Sequence, residues 1–242
     1  MELPKSIIKA TSLNPRTLLL YGLPKMGKTT VLSQLDGCLI IDLEKGSGYV
    51  DALKVNANTY AEFVDVCRSI HAAGKPYSYI AIDTMSQLDT WSEVEGTNKY
   101  MTGVQGKTFN RDAKGNKILP GDPSYQSVHE LGQGFGYRYS REVMVEWYER
   151  LCTLAEHVIF ICHVKDKFVA SKSGDAVVSK DIALTGKVKD ILCSKVDAIG
   201  YMHRENDKLM VSFGGDGDKV CGSRCGHLKG QTFEFDWKLI YK

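Results

Sequence analysis

The chain has no apolar run approaching the length of a membrane span, and the stretch from Met1 to Lys9 contains no signal-peptide core. Membrane-spanning and secreted classes are therefore not expected, and a cytoplasmic location is. Net charge is nearly absent: 31 Lys and Arg against 29 Asp and Glu leave +2. Composition thus gives no general attraction to nucleic acid, and any basic surface must be local. Internal repeats are missing too. The seven cysteines are odd in number and mostly sit in apolar runs, which points to reduced thiols and not to a disulfide framework. What is present is 242 residues, 43% hydrophobic and 25% charged, enough for one large α/β domain with a full core.

The most informative stretch is Gly22-Leu23-Pro24-Lys25-Met26-Gly27-Lys28-Thr29, with the G-x4-G-K-T spacing of a phosphate-binding loop. Thr17-Leu18-Leu19-Leu20-Tyr21 before it reads as a buried strand, and a helix opens at Thr30 after it. A glycine-rich turn between strand and helix aims backbone N–H groups at an anion. Lys28 is expected to reach the β- and γ-phosphates of ATP, and Thr29 to hold Mg²⁺. Gly22 to Thr30 are the candidate nucleotide-binding residues.

Short continuous apolar runs at 17–21, 38–42, 79–83 and 158–163 predict strands buried on both faces of a parallel sheet, with helices between. Thr59-x-x-Glu62 spells a capping box, with Phe63, Cys67 and Ile70 following at helical spacing. The runs end in polar residues. Asp42 and Glu44 follow the second strand; Glu44 is placed to orient and deprotonate water, while Asp42 either faces the ligand or caps the next turn. Tyr79-Ile80-Ala81-Ile82-Asp83-Thr84 has the form of a Walker B strand, with Asp83 a Mg²⁺ ligand and Thr84 assisting. His163 ends the fourth run, as a γ-phosphate sensor or as a structural histidine. Cys221-x3-Cys225-x-His227, with His203, matches no closed zinc spacing.

One domain over 1–242 is expected, with a long polar loop insertion at 94–136, a second polar loop at 164–189, and a β-rich extension at 196–242. In that extension 196–202, 209–213 and 232–237 read as short antiparallel strands, separated by turns such as Gly214-Gly215-Asp216-Gly217.

The order of phosphate loop, strand ending Asp-x-Glu, Walker B strand and sensor strand resembles the RecA-like P-loop ATPase core. Glu44 matches the position of that family's catalytic glutamate, and His163 stands where bacterial recombinases carry Gln. Leu184-Thr185-Gly186-Lys187 through Tyr201 looks like the region after the second DNA-binding loop. Gly222-Ser223-Arg224 resembles a turn that places an arginine at the neighbouring subunit's ATP, and Arg224 alone carries over. The chain from Arg16 onward is similar to small phage-encoded RecA-like proteins of the Sak-four type, which implies host cytoplasm.

The resemblance implies a mostly parallel sheet flanked by helices with an antiparallel C-terminal extension, and DNA-stimulated ATP hydrolysis with Mg²⁺. It also implies a homo-oligomeric ring or filament, single-strand annealing or recombination, and a single-strand-binding protein as a further partner. Catalytic roles fall on Glu44, Lys28, His163 and Arg224. The two loops are implied to face single-stranded DNA: Lys107, Arg111, Lys114, Lys117 and Arg138 from the first, and Lys165, Lys167, Lys172 and Lys180 with Phe168 from the second. Cations among aromatic rings suit a single strand. Two other readings stay open: a nucleotide-switched DNA-binding or assembly module with little turnover, and a small-molecule P-loop kinase.

Overall fold

Strand β1 (Thr17–Gly22) is buried along its whole length, as its unbroken apolar run requires. In the computed structural model, which describes residues 3, 6–7, 9–170, 176–215 and 218–242, it sits centrally in a twisted mixed sheet. Helix α1 (Lys28–Ser33) follows, then β2 (Cys38–Asp42), β3 (Lys54–Asn56), α2 (Tyr60–Ala72), β4 (Tyr79–Asp83) and α3 (Met85–Thr102). Next come α4 (Tyr137–Leu151), β5 (His157–Ala170), β6 (Ala176–Ile182), α5 (Val188–Lys195), β7 (Ala198–Glu205) and β8 (Lys208–Ser212). Two short strands, β9 (Gly222–Ser223) and β10 (Thr232–Glu234), and a final turn of helix, α6 (Trp237–Ile240), complete the described chain.

Spatially the order is β10-β8-β7-β1-β5-β4-β2-β3. The pairs from β7 through β1, β5, β4 and β2 to β3 are parallel, and β8 and β10 add antiparallel. Register aligns the strand ends, with Gly22 beside His163 and Asp42 beside Asp83. Polar residues that end separate apolar runs therefore meet along one edge, the crevice where open α/β sheets bind ligands.

Alternate side chains feed two cores. Leu19, Ile41, Phe63, Trp147 and Phe160 fill one face under α2 and α4. Leu18, Leu20, Val31, Ile40, Ile161 and Trp237 fill the other, under α1 and the C-terminal segment. The Trp237 indole donates to the Val31 carbonyl (2.6 Å), tying the chain's end to the helix after the phosphate loop. At α2 the Thr59 hydroxyl accepts from the Glu62 amide (3.2 Å), as its spelling predicts.

Three expectations change. The stretch 95–102 is the end of α3, so the first irregular segment begins at 103 and not at 94. The second polar loop is largely a hairpin, β5 pairing antiparallel with β6 from Val164↔Ile182 to Ala170↔Ala176. Its alternating charges decorate a ladder and do not interrupt it. In the extension, β10 stops at Glu234, and Asp236 caps α6 through the Lys238 amide, so 235–237 is not strand. Lys172 and the 216–217 end of the last turn lie outside the described residues, as does the Phe168 side chain. Among the described residues no helix is long and apolar enough to cross a membrane.

Candidate active site at the phosphate loop

At the aligned strand ends lies a cavity of about 380 Å³ whose lining includes Pro24, Lys25, Gly27, Lys28, Thr29 and Thr30. Gly27 sits at φ 104°, a left-handed conformation open to glycine, and its carbonyl accepts the first helical bond of this turn from Val31 (3.0 Å). Gly22, Leu23 and Met26 do not line the cavity. Gly22 and Leu23 serve it through their carbonyls, which accept from Lys28 Nζ at 3.1 and 2.7 Å. Met26 packs against the core beneath. Burial lowers the Lys28 ammonium's pKa, and the charges of Asp83 and Glu44 oppose that shift.

Across the floor the Thr29 hydroxyl donates to Asp83 (2.6 Å). Burial pushes the Asp83 carboxyl up, aided by the nearby Asp42 and Glu44; Thr29 and Lys28 pull the other way. Glu44 lines the same cavity. Its carboxylate accepts from the Thr84 hydroxyl (2.6 Å) and lies 3.2 Å from His163 Nε2. Asp42, only 1% exposed, also lines the cavity, and its carboxylate accepts from the amides of its own loop: Glu44 (2.9 Å), Gly46 (3.3 Å) and Ser47 (2.8 Å). Asp42 thus caps the turn and also borders the cavity.

A family model described as an AAA domain matches residues 14–227, which spans the sheet and this cavity. The chain belongs to the AAA-domain family of P-loop ATPases. No curated protein matches it.

The remaining sequence-selected residues of this AAA domain lie away from the cavity. Arg224 is engaged at the other end of the sheet. Its guanidinium donates to the carbonyls of Ser194 (2.5 Å) and Lys195 (3.2 Å) and to Asp197 (3.3 Å), where β7 begins. It takes no part in its own chain's pocket. Lys107 and Arg111 share a surface cavity of about 450 Å³ with Asp112. Lys114 is exposed, Lys117 donates to Asn98 (2.8 Å), and Arg138 pairs with Glu142 (3.1 Å). On the hairpin Lys165 donates to the Leu184 carbonyl (2.9 Å), Lys167 is exposed, and Lys180 pairs with Asp166 (2.6 Å). His227 Nε2 lies 3.0 Å from the Ile240 carbonyl, a packing role at the C-terminus.

Sequence reasoning missed Tyr49. This residue is wholly exposed and lines the phosphate-loop cavity with Val50, on the turn that Asp42 organises. The Gly-Ser-Gly-Tyr spelling just after Glu44 was its available signal.

Proposed function

We propose that this ATPase hydrolyses ATP with a RecA-like active site, binds single-stranded DNA, and promotes recombination or strand annealing in the manner of the Sak-four type. The observation that carries the hydrolytic part is Glu44. It lines the same cavity as Lys28 and Thr29, and its carboxylate is held by Thr84 and His163, a carboxylate beside the phosphate loop being what a general base needs. A small-molecule kinase would use such a carboxylate on its acceptor's hydroxyl and would need a defined acceptor pocket as well.

In this reading the backbone of the phosphate loop and Lys28 hold the phosphates. Glu44 orients water and accepts its proton, and His163, on the strand between β1 and β4, contacts the terminal phosphate. Thr29 and Asp83 form a hard oxygen donor set, and the crowding of Asp83 by two further carboxylates suits a divalent cation. Mg²⁺ bound there supplies charge neutralisation as the phosphoryl group transfers. Tyr49 offers its ring to the base of the nucleotide. Arg224 enters the reaction only from a neighbouring copy, which demands a head-to-tail ring or filament.

The test is ATP hydrolysis with and without single-stranded DNA across protein concentration. Stimulation by DNA that grows with concentration supports the reading. Hydrolysis indifferent to both leaves a stand-alone ATPase and removes the DNA and assembly parts.

A further inference from the structure

Phe135 and Tyr137 are 45% and 40% exposed, large rings left on the surface where α4 begins. They are not loosely placed. The Tyr137 ring stacks on His129, with centroids 4.2 Å apart and planes 16° from parallel. His129 is pinned in turn, its Nε2 2.6 Å from Ser140 Oγ and its Nδ1 3.5 Å from the Glu93 carboxylate. The backbone is fixed as well: any Cβ at Gly136 would fall 1.5 Å from the Val128 carbonyl oxygen, so only glycine permits this approach. Arg138 lies over the Phe135 and Tyr139 rings, 6.0 and 5.2 Å from their centroids. The edge of the Tyr137 ring comes near Gly186, where a Cβ would be 3.9 Å from its Cδ1, and Lys187 beside it is exposed. The irregular segment before α4 and the segment after the hairpin therefore meet at Tyr137.

Exposed rings with cations alongside are what a single strand stacks on, because every base has a π-face and the backbone between bases is anionic. A protein partner would favour an apolar centre, and this patch interleaves rings with charge. We propose that Phe135, Tyr137 and Arg138 form a preformed stacking platform for the bases of single-stranded DNA, with Lys187 meeting the phosphates. This rests on the single-strand reading above. It moves the centre of the contact from the lysines at 107–117 to the start of α4.

The experiment is fluorescence anisotropy of a labelled, roughly 30-nucleotide oligothymidylate and of an abasic strand of equal length, titrated with the full chain at several salt concentrations. Phe135→Ala and Tyr137→Ala are each expected to weaken oligothymidylate binding about tenfold while keeping the salt slope, and Tyr137→Phe to stay within about twofold. The abasic strand should bind wild type about as weakly as oligothymidylate binds the alanine variants. Lys187→Glu, at an exposed position, should instead flatten the salt slope. Wild-type binding that is indifferent to Phe135→Ala, Tyr137→Ala and base removal overturns the platform and leaves the single-strand reading standing. Absence of wild-type binding to either strand overturns both.

Discussion

Strands β2 and β4 lie side by side in register and each ends in a buried aspartate, yet the two carboxylates have opposite fates. Burial pushes Asp42 up, but the Ser47 side chain and the amides of Ser47, Glu44 and Gly46 more than offset this and hold it below the usual carboxylate range. Asp83 has one hydroxyl donor and two acidic neighbours, so burial leaves its carboxyl raised. The carboxylate already satisfied by its own backbone is architectural. The one left short of donors is available to a cation.

That contrast can be broken by substitution. The largest effect is expected at Asp83→Ala, which should lower Mg²⁺-dependent ATP turnover by at least about a hundredfold in a steady-state phosphate-release assay. Wild-type turnover in this variant would remove Asp83 from the metal site. Glu44→Gln should cost about a hundredfold in turnover while nucleotide affinity, read by a fluorescent ATP analogue, stays near wild type. Asp42→Ala should act on the fold, losing about 1–3 kcal/mol in urea unfolding because it orphans three loop amides.

The smallest effect sharpens the comparison most. Without nucleotide, Asp83→Asn should raise Tm by about 2–4 °C at neutral pH, and Asp42→Asn should lower it. The signs follow from the two shifts. A raised carboxyl costs native stability as pH climbs from its unfolded value to its folded one, so Asp83→Asn gains at neutral pH and nothing in strong acid. A lowered carboxyl contributes fully above its unfolded value, and that contribution is lost as pH falls through the folded one. With Mg²⁺ and ATP present, wild type should overtake Asp83→Asn, because binding stabilises only the competent chain. Equal melting of both variants at every pH would mean the two aspartates are equivalent.

The sequence made this strand edge legible because β1, β2 and β4 are continuous apolar runs with abrupt polar ends, and the phosphate loop has fixed spacing. Asp83 as the candidate cation ligand was legible from its strand; the capping role of Asp42 was not, since the amides it binds belong to a turn whose shape no pattern announces. Helix α3 was cut short for a related reason. It buries Asp89, Ser92, Gly96 and Thr97 against its neighbours, so no apolar stripe marks its second half. The hairpin hid behind Lys165, Asp166 and Lys167, whose charges read as a loop although the backbone pairs throughout. Tyr137 went unremarked because an exposed ring and a core ring look alike in sequence; only the packing of His129 and Gly136 separates them.

Strand β5 does not stop at the crevice. It carries His163 beside Glu44 and continues for seven more residues to Ala170, a projection of about 23 Å. Mechanically it is a beam anchored in the sheet, loaded at its root and braced along its length by β6. A tilt of about 5° at the root would swing the far end by about 2 Å over that projection. Leverage of this kind needs no hinge, and its gain is set by hairpin length alone.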